Sequence, residues 1–400
     1  MRVYINEGGR IGGKRIVLDD MILTRELPTT AGSRMLETYV SLFEAEAVSR
    51  LTQAGCTVGG KVNVGEFGID LMGETSFFGA CVREDGTLAS AAAESLKDGV
   101  CAAVQLDVNG APRRAAAQND LVCVKPTYGT VSRYGTIPAA CSGETVTVTA
   151  PSAAVCREIL SVLAGHDDKD GTSLSEEQCS LLKQDAQRRP VRKVAVAAGL
   201  TAAADDQVRA DLAAFRTFLE ERGVEVVEID DQLIRAANTA WNVLMSAELC
   251  NNVSRYDGVK YGYRSSSYTT IEELYTNSRT EAFGELLKSA ILFGSDVLST
   301  DNYMKMYDKA LRVRRVIVEA LNSVFAECDA LLLPACSAKR YTLAAVQENP
   351  YLAFEENAFT APASVSGMPA VVVGGIQLMG PAFSENSLLD LAQAYRKEGQ

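Results

Sequence analysis

Residues 191–229 hold the pattern that most constrains the fold of this chain. The apolar run Val194-Ala195-Val196 precedes a helical pattern from Asp205 to Glu221, and a second apolar run, Val224–Val227, follows Gly223. A helix between two apolar strands is the usual connection between parallel strands, and glycine often ends such a helix. The segment therefore predicts a β-α-β unit.

The same alternation of helix and strand is found before this unit. In residues 36–67, Leu36, Tyr39, Val40, Leu42 and Phe43 have roughly helical spacing. Gly55 and the strand-like run Cys56-Thr57-Val58 follow. The pattern predicts a helix that begins near Leu36 and leads into a strand.

After the unit, residues 240–325 are dominated by helical patterns, with a tyrosine-rich loop at 256–268. Leu331–Pro334 and Ala370–Val373 have the apolar composition of buried strands. No internal repeat or low-complexity linker interrupts the chain. We therefore expect a single α/β domain over residues 1–400.

Composition and charge exclude several classes of function. Hydrophobic residues make up 47% of the chain and the net charge is −12, which opposes attraction to nucleic-acid phosphates. We expect no direct nucleic-acid binding. No stretch approaches the roughly 20 apolar residues of a membrane span, and the N-terminus does not resemble a signal peptide. These features predict a cytoplasmic protein that does not associate with membranes.

The scarcity of histidine narrows the chemistry further. His166 is the only histidine, which excludes a multi-histidine metal site and a serine or cysteine mechanism that requires any other histidine. The ten cysteines are scattered without a Cys-x-x-Cys pair and are expected to be small buried thiols. The sequence predicts neither a metal nor another cofactor.

Several short segments carry a family resemblance along nearly the whole chain. In order they are Gly60-Lys61-Val62-Asn63 with Glu66-Phe67, Lys125–Gly129 with Ser132–Gly135, Ala164–Asp167, Ser254–Gly258 with Tyr261–Arg264, Ser366–Pro369 and Gln377–Pro381. In this order they resemble the amidase signature family, and most closely the glutaminase component, or A subunit, of the glutamyl-tRNA(Gln)/aspartyl-tRNA(Asn) amidotransferases.

The resemblance implies both a fold and a reaction. The fold is the amidase-signature α/β fold, a mixed, twisted central sheet flanked by helices on both faces. The reaction is amide hydrolysis by a Ser, Ser, Lys triad, in which the lysine acts through a bridging serine on the nucleophilic serine. Backbone N–H groups of a glycine-rich segment bind the oxyanion.

All three triad positions are changed in this chain. The motif pattern places Asp19 where the family has its lysine, Thr87 at the bridging serine and Ala111 at the nucleophile. A methyl group cannot attack a carbonyl carbon, and a carboxylate reverses the charge that the lysine supplies. Thr87 alone keeps a hydroxyl, while Pro112 removes a backbone donor beside Ala111. The sequence therefore predicts a degenerate triad.

The positions that bind glutamine are changed as well. The family's tyrosine, arginine and aspartate fall at Trp241, Ala290 and Asn357, which leaves no charged partner for the substrate's ammonium or carboxylate group. With three residues around Ala111, they make up the predicted remnant pocket: Asn109, Gly110, Arg113, Trp241, Ala290 and Asn357.

Four residues have both a functional and a structural interpretation. Lys61 could act as a surviving catalytic lysine, yet the family places it outside the triad. Ser90 and Ser95 could replace the nucleophile, yet both lie in a predicted alanine-rich helix. His166 beside Asp167 suggests an acid–base pair, yet it lies at an ordinary helix end. We favour the structural interpretation of all four.

The chain is also shorter than the family before residue 1, between Phe67 and Gly86, and between Val373 and Ile376. We therefore predict a pseudoenzyme truncated at its N-terminus, with a binding or scaffold role beside an amidotransferase-like partner subunit. Two alternatives stay open. One is an active amidase or glutaminase subunit that supplies ammonia for Glu-tRNA(Gln) transamidation through an unrecognised nucleophile. The other is a paralogue that binds a small ligand in the old pocket without turnover.

Overall fold

The strands of the chain form a mixed sheet. The structure, a computed structural model, describes residues 2–8, 13–183 and 188–398. The strands of these residues are β1 (Tyr4–Glu7), β2 (Lys14–Asp19), β3 (Cys56–Val62), β4 (Ala102–Asp107), β5 (Val122–Lys125), β6 (Thr145–Ala150), β7 (Lys193–Ala197), β8 (Glu225–Ile229), β9 (Ala330–Pro334), β10 (Ala370–Val373) and β11 (Ile376–Met379).

These strands lie in one eleven-stranded sheet with the order β1-β3-β2-β4-β6-β5-β10-β11-β9-β7-β8. At one end β2 pairs in parallel with both β3 and β4, and at the other end β7 pairs in parallel with β8 and β9. The central pairs, from β4 to β9, are antiparallel. β4, β5, β6, β9, β10 and β11 are buried along their whole length, as expected of strands covered on both faces.

Helices flank both faces of the sheet. They are α1 (Glu46–Gln53), α2 (Ala91–Ser95), α3 (Ala111–Gln118), α4 (Ala153–Leu163), α5 (Glu176–Lys183), α6 (Ala198–Ala203), α7 (Asp206–Glu221), α8 (Gln232–Arg235), α9 (Ala237–Val253), α10 (Ile271–Ala282), α11 (Glu285–Val297), α12 (Tyr307–Glu327), α13 (Leu343–Glu348), α14 (Leu352–Ser366) and α15 (Glu385–Glu398). Short 3₁₀ helices occur at Arg34–Leu36, Glu66–Gly68 and Leu96–Asp98. This architecture confirms the predicted fold class; the single domain over residues 1–400 stays a prediction.

The β-α-β unit predicted in residues 191–229 is confirmed. α7 begins after Asp205, whose Oδ1 accepts a hydrogen bond of 2.8 Å from the N–H of Val208, and Gly223 follows the helix with a φ of 73°. Five apolar side chains of α7 are buried: Val208, Leu212, Phe215, Phe218 and Leu219. Helix capping and one apolar face together fix the element.

The helix predicted from Leu36 onward is wrong in its start. The α-helix begins only at Glu46. Before it, the carbonyl of Tyr39 accepts a hydrogen bond from Thr29, and the N–H of Ala45 donates to Leu23. Leu42, one of the residues whose spacing predicted the helix, is 92% exposed. Because these backbone groups are used in contacts with distant segments, no helix forms there.

The sheet places the turns that follow β2 and β4 side by side at the carboxyl ends of these strands. β2 and β4 are adjacent and parallel, so their carboxyl ends, at Asp19 and Asp107, face the same side of the molecule. The turn after β4 leads directly into α3. Candidate site residues from both turns therefore meet there.

Candidate functional site

Ala111 is the first residue of α3, directly after a tight turn from β4. Gly110 precedes it with a φ of 84°, and a Cβ atom at Gly110 would lie 2.4 Å from the side chain of Thr360. Only glycine fits this turn without strain. Pro112 occupies the first helical turn, where its missing N–H is tolerated. The turn therefore presents the methyl group of Ala111 at the start of the helix.

Asp19 ends β2 beside this turn and is 3% exposed. Its carboxylate accepts hydrogen bonds from the N–H of Met21 at 2.9 Å and from the N–H of Leu106 at 2.5 Å. Burial raises the pKa of Asp19 to about 7, and the two backbone hydrogen bonds oppose that rise only in part. Asp19 thus joins the ends of β2 and β4, and near neutral pH it is present in both protonation states.

Asp19 and Ala111 line one small cavity of about 30 Å³, roughly the space of one water molecule. The lining residues are Asp19, Asn63, Val64, Gly65, Gly68, Asp70, Met72, Gly73, Ser90, Gln105, Leu106, Ala111 and Pro112. The structure therefore brings two of the three predicted triad positions together.

Thr87 is not among the residues that line this cavity. Its N–H and its hydroxyl both donate to the Oδ1 of Asp85, at 3.0 and 2.6 Å, and its backbone forms a bridge with Thr342. Ser90 lines the cavity instead, and its Oγ accepts a hydrogen bond from the N–H of Ala93 as the N-cap of α2. The hydroxyl that shares a cavity with Asp19 and Ala111 is therefore that of Ser90.

Three residues of the predicted remnant pocket, Asn109, Trp241 and Asn357, form contacts within the chain. Asn109 is buried; its Nδ2 donates to the carbonyl of Ile69 at 2.7 Å and its Oδ1 accepts from the Nε1 of Trp241 at 3.1 Å. The Trp241 ring packs so closely on Gly143 that a Cβ atom there would lie 2.4 Å from it. The amide of Asn357 lies within hydrogen-bond distance of the amides of Asn109 and Asn242. Three predicted pocket residues thus form one buried cluster.

Arg113 is fully buried and pairs with Asp107 at 2.6 Å. Its other nitrogens donate to the carbonyl of Thr360 at 2.8 Å, to Gln377 at 3.0 Å and to Ser364 at 3.0 Å. Ala290 is buried in α11 and has no polar group to offer. None of the six predicted pocket residues lines the 30 Å³ cavity.

Among the residues with two interpretations, Lys61 and Ser95 are both buried and hydrogen-bonded. Lys61 pairs with Asp20 at 3.2 Å and donates to Pro28 and Thr29. Burial lowers the pKa of Lys61, while Asp20 opposes that effect. The hydroxyl of Ser95 donates to the carbonyl of Ala92.

His166 follows the end of α4. Its Nδ1 lies 2.8 Å from the carbonyl of Leu174, and its Nε2 lies 2.9 Å from an exposed carboxylate oxygen of Asp168. These contacts tie it to a surface turn. In residues 2–8, 13–183 and 188–398 no cluster of three or more histidine, cysteine, aspartate or glutamate residues is arranged to hold a metal ion. No helix in the same ranges is long and apolar enough to cross a membrane.

Two polar residues that line the cavity, and a third beside it, escaped the sequence analysis. Gln105 and Asp70 line it, and Glu74 follows Asp70 in the same loop. Glu74 accepts hydrogen bonds from the N–H groups of Leu71 and Met72. Burial raises the pKa of Glu74 to about 8, and the nearby Asp70 carboxylate adds to that rise. A glycine-flanked segment with two acids was visible in the sequence, but only the fold shows that it borders Ala111.

Comparison with known proteins finds similarity over nearly the whole chain. The family model described as Amidase matches residues 6–83 and 90–389, and the unmatched residues between them include Thr87. The chain is 34% identical to the A subunit of glutamyl-tRNA(Gln) amidotransferase from Lawsonia intracellularis over 96% of its own length and 83% of that protein. It is 32% identical to the protein of the same name from Lachnoclostridium phytofermentans, and the match covers 96% of this chain and 82% of that protein.

A solved structure is also similar to this chain over nearly its whole length. The crystal structure of the A subunit of glutamyl-tRNA(Gln) amidotransferase from Thermotoga maritima superposes with a TM-score of 0.79 at 25% identity. The match covers 99% of this chain and 86% of that one.

Proposed function

Since the chain belongs to the amidase family, we propose that it is a catalytically impaired member with a binding or scaffold role, resembling the A subunit of a tRNA-dependent amidotransferase. The observation that carries the proposal is the methyl group of Ala111 at the start of α3, beside the Asp19 carboxylate. An acyl-enzyme requires a nucleophilic oxygen or sulfur atom, and this position offers neither.

Two further features support the proposal. The catalytic strategy of the family needs donors that converge on an oxyanion, yet Pro112 has no N–H and the N–H of Gly110 donates to Asp107 at 2.8 Å. Trp241, Asn109 and Asn357 satisfy one another's polar groups, so the region assigned to glutamine is filled by the chain itself. These contacts favour a scaffold over a protein that binds a small ligand in the old pocket.

A second candidate function, an active amidase or glutaminase, is favoured by one observation. Ser90 lines the same cavity as Asp19, and a carboxylate with a pKa of about 7 suits a general base. Ser90 would be the nucleophile of that mechanism. This candidate is weaker because the Ser90 Oγ already accepts the hydrogen bond that caps α2.

Ammonia release distinguishes the two candidates. The purified chain is incubated with glutamine, asparagine and simple amides, and the same assay is run on Ser90→Ala and on Ser95→Ala as the matched control, because Ser95 lies outside the cavity. We expect no ammonia above buffer from any of the three, and no covalent adduct with a fluorophosphonate probe. Turnover that Ser90→Ala abolishes and Ser95→Ala retains would overturn the proposal.

The scaffold role has its own test, since the relatives are by name one component of an amidotransferase. Under the proposal the chain acts in the cytoplasm and forms a stable complex with a protein resembling the tRNA-binding partner. Size-exclusion chromatography with light scattering of the two purified proteins should give a complex of summed mass. A chain that stays a solitary monomer at micromolar concentrations of both would argue against the scaffold role.

A further inference from the structure

The 30 Å³ cavity beside Ala111 has an excess of hydrogen-bond acceptors. Gln105 lines it and is 8% exposed, yet its Oε1 has no hydrogen-bond partner within the described part of the chain. A buried amide oxygen without a donor is costly, so this oxygen can accept a hydrogen bond or coordinate a bound group. Ser90 lines the same space with a hydroxyl oxygen.

Two buried carboxylates also line the cavity. Asp19 is 3% exposed and Asp70 is 1% exposed. The oxygens of Asp70 accept from the N–H groups of Gly73 and Thr75 and from the Thr75 hydroxyl. Asp19 accepts only backbone N–H groups. Each carboxylate oxygen has lone pairs enough for a further donor.

The surrounding charges leave the cavity negative. Lys61 is paired with Asp20, and Arg114, the cation that faces Asp70, also faces Glu356. The N-terminus of α3 contributes only about half a positive charge. Glu66 and Glu74 stand next to Asp70, and they add negative charge from the same loop once the pH exceeds their raised pKa values of about 7 and about 8. Anionic ligands are therefore disfavoured.

We propose that this cavity binds one monovalent cation of about the size of a water molecule, ammonium or potassium, through the acceptors of Asp19, Asp70, Gln105 and Ser90. Ammonium has four donors and no acceptor, which matches a lining of side-chain acceptors. Potassium is of similar size and takes carboxylate, amide and hydroxyl oxygens. A divalent ion fits less well, since it prefers several carboxylates converging on one point. The inference rests on the proposed function in one respect: Asp19 is free to hold a cation because it is not a general base.

The test is thermal unfolding of the full chain in chloride salts at constant ionic strength. Ammonium and potassium are compared with tetramethylammonium, which is too large for the cavity. We expect a saturable rise of the unfolding temperature with ammonium, potassium or both, as for any ligand that binds only the folded state. An equal rise in all three salts would overturn the proposal. A response to ammonium alone would identify the ligand as a hydrogen-bonding cation.

Substitutions in the cavity test whether the salt-specific rise of the unfolding temperature comes from this site. Asp19→Asn keeps the shape of the side chain but removes its charge, and Gln105→Leu removes the unpartnered oxygen; each should abolish the salt-specific rise. Asp98→Asn, at an exposed acid, should keep it. If Asp19→Asn does not fold, Gln105→Leu is the deciding variant. A salt-specific rise of the unfolding temperature that persists in Gln105→Leu contradicts the proposal. Ammonia release from amides would sink the proposed function without changing this readout, so the two failures are distinguishable.

Discussion

At the scale of single residues, Arg113 shows that a residue of a family motif need not belong to the functional site. Its place two positions after Ala111 made it a predicted pocket residue. The side chain is instead fully buried and contacts the nearby Asp107 and two distant parts of the chain, through Thr360 and Gln377. Arg113 therefore serves the fold, even though the chemistry expected beside it has changed.

Arg113→Ala should destabilise the chain by about 3–5 kcal/mol, because it leaves the buried Asp107 carboxylate without its partner. Urea unfolding followed by circular dichroism measures the change. The matched control is Arg315→Ala, which removes an exposed pair with Glu319 and should change stability little. Equal effects of the two substitutions would show that the Arg113 pair is not structural.

Trp241→Phe tests the cluster that fills the old pocket. Phenylalanine keeps an aromatic ring but cannot donate to the Oδ1 of Asn109, so we expect a loss of about 1–3 kcal/mol in the free energy of unfolding. The control is Tyr351→Phe at a half-exposed tyrosine, which should be nearly neutral. A neutral Trp241→Phe would mean that water satisfies Asn109 and that the pocket is more open than these contacts indicate.

The Trp241–Asn109 contact also shows what sequence reasoning cannot reach at this scale. The two residues are 132 positions apart and meet only because α9 packs beside the turn from β4 to α3. The assignment of Ala111 to the family's nucleophile position is a prediction from local motif order alone. That Gln105 and Asp19 line the same cavity depends instead on strand order, which no local pattern of either segment encodes.

At the scale of elements, the sequence predicts those helices and strands that local contacts determine. It fails where contacts with distant segments determine the structure. The unit from β7 to β8 could be predicted because its caps and apolar face are local. Residues 37–45 could not, since their backbone bonds to Thr29 and Leu23 override helical spacing. The segment from Glu66 to Thr75 combines both kinds of contact. Asp70 and Glu74 accept hydrogen bonds from N–H groups within the segment, whereas Glu66 accepts from the distant Ser33 and Gly284.

These buried acids make stability depend on pH with a definite sign. Burial raises the pKa of Glu66 to about 7 and that of Glu74 to about 8, whereas the same groups ionise near ~4 in an unfolded chain. The folded state therefore binds more protons between these values, and stability falls as the pH rises toward 8. Each such proton contributes a slope of up to about 1.4 kcal/mol per pH unit.

The pH effect is tested by urea unfolding from about pH 6 to about pH 9, a range that spans both raised pKa values. The wild type should lose stability over this range, and Glu74→Gln, which cannot ionise, should give a flatter profile. Glu272→Gln on the exposed face of α10 is the control and should follow the wild type. A profile for Glu74→Gln as steep as that of the wild type would show that other groups cause the dependence.

At the scale of the whole molecule, charge distinguishes a scaffold from a protein that holds RNA itself. The chain carries 51 acidic and 39 basic residues, and some of the exposed cations are paired with acids, as Arg216 is with Glu220 and Glu228. A protein that binds tRNA needs an uncompensated basic surface, because affinity comes largely from phosphate neutralisation. This charge balance favours a complex in which a partner contacts the tRNA.

From this charge we predict that the isolated chain does not bind tRNA. Fluorescence anisotropy with labelled tRNA should show no binding at micromolar protein and about 150 mM salt. Lowering the salt should not produce binding, since repulsion by a net charge of −12 grows as screening falls. In a complex with a tRNA-binding protein, adding this chain should leave the salt dependence of tRNA affinity unchanged, because it contributes no phosphate contacts. Submicromolar binding by the chain alone, weakening steeply with salt, would instead place a basic site on its surface and remove the need for a partner.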